Sequence, residues 1–73
     1  MNLTKLVFKH EDGKEIIRMF SSYIPQKSDC IKIKNAIGEN RRYVVMDVST
    51  NILHTRDGFA IDYVELFLKQ EYF

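Results

Sequence analysis

The chain has little of what usually announces a function. It holds one cysteine, one proline, three glycines and no tryptophan in 73 residues, and its formal net charge is +1. A lone Cys30 cannot close an internal disulfide, and no Cys/His cluster has zinc-ligand spacing. That usage fits a reducing, cytoplasmic compartment. A charge so near zero provides no global field to gather nucleic acid or an anionic membrane. No apolar run approaches the ~20 residues of a membrane-spanning helix. The N-terminus alternates with Lys5 and Lys9 and lacks the apolar stretch of a signal peptide. Phosphate loops, metal constellations and paired-carboxylate spacings are also missing. The expectation is a protein that is not an enzyme, with no cofactor and no membrane partner.

What is present is apolar and alternating. The composition is 45% hydrophobic and 12% aromatic, which excludes a disordered chain. The length allows one domain over residues 1–73. A domain this small buries only about 60% of its unfolded surface, so marginal stability is expected unless a partner adds to it.

Taken in order, residues 3–9 alternate as a first strand, with Leu6 and Phe8 on one face and Lys5, Val7 and Lys9 on the other. Asp12-Gly13 predicts a two-residue type I′ hairpin turn. That turn sets Glu11 opposite Lys14, Phe8 opposite Ile17 and Leu6 opposite Met19, with Val7, Ile16 and Phe20 on the far face of the hairpin. The second strand is then 14–20. Ser21 to Asp29 is a connection bent by Pro25. A third strand begins at Cys30, with Ile31 and Ile33 inward and Lys32 and Lys34 outward, and Ala36 and Ile37 extend it to 37. Residues 38–40 reverse the chain.

Residues 41–56 form the most β-prone run, read as one long strand with a bend. Its inward set is Val44, Met46 and Val48, or Tyr43 and Val45 if the bend flips the register. Asp57-Gly58 repeats the type I′ signal. Residues 59–69 form the last strand, with Val64, Leu66 and Leu68 on one face and Ile61, Tyr63, Glu65 and Phe67 on the other. Helix is the competing reading there, but strict alternation from Ile61 to Glu65 favours strand. The fold class is all-β, a small five-stranded antiparallel barrel of the Src-homology-3-like kind.

One resemblance follows from these residues. Ile24-Pro25, then Asp29 with Ile31 and Ile33 alternating after it, then Tyr43, Val45 and Val48, then Ile61, Val64 and Leu66, resembles small β-barrel proteins of bacteriophages and mobile elements. Those carry an Ile-Pro-x-x-Gly-Asp turn and a Tyr-x-Val-x-x-Val strand. The resemblance covers roughly residues 3–68 and departs at Ser28, where the pattern has glycine. It implies a fold and an origin in a phage or mobile element. It carries over no catalytic residues.

Candidate chemistry is sparse. Cys30, His10 and His54 could serve as nucleophile and bases on paper, yet no spacing places them together. Asp47 inside an apolar strand must sit at a rim, be paired, or be exposed by a bulge. Charge is segregated along the chain: Lys27, Lys32, Lys34, Arg41 and Arg42 oppose Asp29 and Glu39, whereas Asp57, Asp62, Glu65 and Glu71 oppose only Lys69. Two binding surfaces follow. Lys32, Lys34, Arg41 and Arg42 with Tyr43 form a basic face that could hold phosphates and a stacked base. Tyr63 and Phe67, with Tyr72 and Phe73, form an aromatic last strand suited to a protein interface. The functional expectation is a non-enzymatic interaction module, a phage or mobile-element accessory protein that binds a host protein or other copies of itself as a homo-oligomer. Nucleic-acid binding through the basic face is the alternative.

Overall fold

The five alternating runs are the five strands of the computed structural model, which describes residues 2–71. They are β1 (Thr4–His10), β2 (Glu15–Ser21), β3 (Cys30–Lys34), β4 (Asn40–Thr55) and β5 (Gly58–Glu71), with no helix among the described residues. No helix therefore exists there that is long and apolar enough to cross a membrane. The strands form a single sheet in the order β2-β1-β5-β4-β3, strongly curled into a half-barrel.

The all-β, five-stranded expectation holds, and the small-barrel likeness is compatible with it. The sheet itself is mixed and open rather than antiparallel throughout. β1 runs parallel to β5, with Leu6 beside Val64 and Phe8 beside Leu66. The other three pairings are antiparallel. The reason is parity. Five strands that alternate in direction leave the first and last running the same way, so joining them makes a parallel pair. The two edges are then β2 and β3, and the connection 22–29 must pass from one edge to the other. It does so against the concave side: Pro25 is buried and Ile24 packs on the core.

That core is one face of the sheet. Leu6, Phe8, Tyr43, Val45, Val64, Leu66 and Leu68 are buried together, with Ile16, Ile24, Ile31, Ile33 and Val48 packed against them. Full burial of such side chains stabilises by about 1.5–3 kcal/mol each. The predicted inner face of β5 is thus the observed one. On β4 the flipped alternative applies, and Tyr43 and Val45 face inward while Met46 is exposed. The pairing explains the switch: Val45 lies opposite Leu68 and Asp47 opposite Phe67, so Met46 is a bulge residue. Beyond it the inward positions resume at Val48. Asp47 is exposed beside this bulge, where its own carboxylate accepts the Val48 N–H at 3.0 Å. A second bulge falls at Asp62, because Tyr63 pairs with Asn51 and Ile61 with Ile52. It moves Ile61 off the face of Tyr63, where strict alternation had placed it.

The turns differ from their expected types. The first hairpin has a three-residue loop, with the His10 N–H on the Lys14 carbonyl at 2.8 Å and the Gly13 N–H on the His10 carbonyl at 2.9 Å. Gly13 has φ +92°, but Asp12 is not left-handed, so the turn is not type I′. Asp12 instead accepts the Lys14 N–H. Glu11 therefore sits in the turn and does not oppose Lys14. The extra loop residue is offset by a register shift after Phe8, which turns Ile16 onto the core. Phe8–Ile17 and Leu6–Met19 pair as expected for that reason. The last hairpin turns one residue early, on Arg56-Asp57, with Thr55 opposite Gly58 and neither turn residue left-handed. β3 ends at Lys34 rather than 37. The Asn35 side-chain oxygen accepts the N–H groups of Ile37 and Glu39 and closes the turn there.

Candidate interaction surface

β4 and β5 have 16 and 14 residues, whereas β1 and β2 have 7 each and β3 has 5. The long pair must overhang its neighbours. β3 pairs with β4 only over 40–44, and β1 pairs with β5 only over 64–68. Residues 52–61 are left as a two-stranded arm whose ladder bonds run only within the hairpin. Four residues per strand project about 13 Å before the turn, and the molecule measures 48 × 23 × 19 Å.

The arm is apolar on both faces. Ile52 opposes Ile61 and His54 opposes Phe59 on the face continuous with the core, while Leu53 opposes Ala60 on the other. Phe59 is 76% exposed, Ile52 57%, Leu53 52% and Ile61 48%. The only cover within the arm is the His54 imidazole, stacked on Phe59 at 4.7 Å between ring centroids. A second uncovered area lies on the edge strand β2. Ile17 and Met19 sit opposite buried Phe8 and Leu6 on the inner face, yet remain 43% and 46% exposed.

The expected sites are placed differently. Lys32 and Arg42 are directly opposed on the outer face of the β3–β4 hairpin, with Lys34 beyond them. Arg41 opposes inward-facing Ile33, so alternation turns it to the other face. Tyr43 is 1% exposed and belongs to the core, so it cannot stack a base. Arg42 contacts Glu71 at 3.6 Å and the Cys30 sulfur at 3.0 Å. The basic face is thus three side chains with an acidic neighbour and no ring.

Tyr63 and Phe67 are half-buried on the outer face, not presented side by side. Glu65 lies between them, paired with Lys9 and accepting from Asn51 at 3.3 Å. The pairing holds the Glu65 carboxyl below its ordinary pKa and raises the Lys9 ammonium above its own, the hydrogen bond between them being the larger cause of each. Tyr72 and Phe73 lie outside the described residues. His10, Cys30 and His54 stand on three separate elements, at the first turn, on the β3 edge and in the arm. Among the described residues no three His, Cys, Asp or Glu side chains are grouped to hold a metal ion.

No family model matches the chain, and no curated protein or solved structure is significantly similar to it. The geometry alone therefore carries the functional reading. The arm was not singled out by motif or charge, but one signal was legible. The two last runs were expected to be much longer than the first three, and unequal strands cannot all be covered.

Proposed function

We propose that this chain is a non-enzymatic interaction module whose contact surface is the β4–β5 arm. The observation that carries the reading is the exposure of Ile52, Leu53, Phe59 and Ile61 on a ribbon bonded only to itself. A two-stranded hairpin is marginal in water on its own and gains from a third layer. Contiguous exposed apolar residues of this kind mark interaction sites. The resemblance in the Ile24–Asp29 turn and the Tyr43–Val48 strand supports an origin in a phage or mobile element, for which a host macromolecule is the expected partner. Nucleic-acid binding has less support, because Tyr43 is buried and Arg42 has Glu71 beside it.

The experiment is photocrosslinking in the producing cell from a reactive residue at position 59, with one at exposed Lys27 as the control. Discrete protein adducts from 59 and not from 27 are expected. Identical adduct patterns from both positions would overturn the reading.

A further inference from the structure

The arm and the inner face of β2 are two vacancies in one chain. A sheet face that is apolar must be covered by another layer. The arm is a projecting apolar ribbon without a layer beneath it. The inner face of β2 is an apolar sheet surface without a layer above it, although its cross-strand neighbours Leu6 and Phe8 are fully covered. Each is the kind of surface the other needs, and both lie on the same face of the sheet.

We infer that the occupant of both is a second copy of this chain, in a closed two-fold dimer. The arm of each protomer, through Ile52, Phe59 and Ile61, covers Ile17 and Met19 of the other. The inference rests on the arm being an interaction surface and names what it meets. Two-fold symmetry satisfies both vacancies at once, because an isologous contact lets surface i meet j and j meet i.

The area agrees. The accessible surface is 5645 Å², against about 4,700 Å² for a compact monomer of this mass. The excess of roughly 900 Å² matches one partner's share of a standard protein interface. The radius of gyration, 13.6 Å, likewise exceeds the ~11 Å of a compact chain of this length. A net charge of +1 sets little repulsion between copies.

The test is mass by sedimentation or light scattering of the full chain across the micromolar range, with circular dichroism as a check of folding. A species of twice the 8.7 kDa chain mass is expected. Phe59→Asp and Met19→Lys should each give folded monomers, because each breaks both halves of the contact. Mixed together they should dimerise again, since one half of the contact is then unaltered and the other sets a carboxylate against an ammonium. Ile61→Asp replaces Phe59→Asp should the latter fail to fold.

A native monomer at the highest concentration overturns the inference, as does a dimer that survives both substitutions or a pair of variants that does not complement. Open-ended oligomers overturn the closed arrangement. A monomer that still crosslinks a different protein from position 59 removes the self-association alone. A monomer with no specific adduct removes the interaction reading as well.

Discussion

The Ser28 N–H donates to the Val45 carbonyl at 2.8 Å, and the Val45 N–H returns to the Asp29 carbonyl at 2.9 Å. This pair of bonds ties the connection between the two edge strands to the centre of β4. Ser28 reaches it with φ +77°, the single non-glycine residue with positive φ among the described residues. Glycine adopts such a backbone at the least steric cost. A left-handed conformation costs an L-residue about 1–2 kcal/mol.

Ser28→Gly should therefore stabilise the fold by about 0.5–1 kcal/mol, the relief of strain being reduced by the extra freedom glycine gives the unfolded chain. Ser28→Val should destabilise by a similar or larger amount, because a β-branched residue fits that region worst. Urea denaturation midpoints of the three proteins decide it, and an unchanged or lower midpoint for the glycine variant would count against the account.

Acid should loosen the same turn. Asp29 accepts the Gln26 N–H at 2.8 Å and the Tyr23 hydroxyl at 2.9 Å, and these bonds hold its carboxyl below the ordinary value, the backbone bond contributing most. Glu65 is lowered likewise by Lys9. A group whose folded pKa is depressed contributes stability above its unfolded pKa and loses it as pH falls through the folded value. Stability should thus decline below about pH 4. Asp29→Asn should flatten that decline while lowering stability at neutral pH, which a series of denaturation midpoints against pH would reveal. Lys9 has the opposite sign: its raised pKa adds stability that is lost only as alkaline pH passes through the folded value.

The Met46 bulge makes a sharper test of register. Inward positions on β4 are Tyr43, Val45 and Val48, spaced two and then three. The Tyr-x-Val-x-x-Val spacing is the sequence trace of this bulge. Deleting Met46 removes the bulge residue and leaves every other side chain on its own face. Deleting Val48 instead brings Ser49, or Asp47 if the bulge is lost, inward opposite Leu66. The Met46 deletion should keep cooperative unfolding and near-native amide spectra with a modest loss of stability. The Val48 deletion should not fold. Comparable behaviour of the two deletions would rule out this assignment of the bulge.

That spacing also shows where the sequence was readable. Strand positions followed from alternation, and the Phe8–Ile17 and Leu6–Met19 pairs, set by an expected two-residue turn, hold because the bulge at Ile16 offsets the extra loop residue. Tyr43 was harder to place. Residues 43–46 are apolar at every position, so composition alone does not say which face is inside until the partner strand fixes the bulge. Turn types were misread at both Asp-Gly pairs for a related reason: glycine supplies the positive φ in more than one loop length, and the loop length is set by the strands. The basic face lost Tyr43 and Arg41 to the same parity. The arm escaped notice because exposure depends on what lies across a strand, which is a property of topology.

Core and arm should separate cleanly in stability. Leu66 is buried at the centre of β5, between Phe8 on β1 and Val48 on β4. Leu66→Ala removes buried methyl groups and leaves a cavity, so it should cost about 2–5 kcal/mol. In a domain of this size that approaches the whole stability. Phe59 is larger but mostly in water, so Phe59→Ser should change the stability of the dissociated monomer by no more than about 0.5 kcal/mol. At concentrations where copies associate, the same substitution should lower the thermal midpoint and abolish its dependence on protein concentration, because association stabilises by mass action. Thermal melts of both variants at several concentrations distinguish the two cases. An equally large, concentration-independent loss in Phe59→Ser would place that ring in the monomer's own core and remove it from any interface.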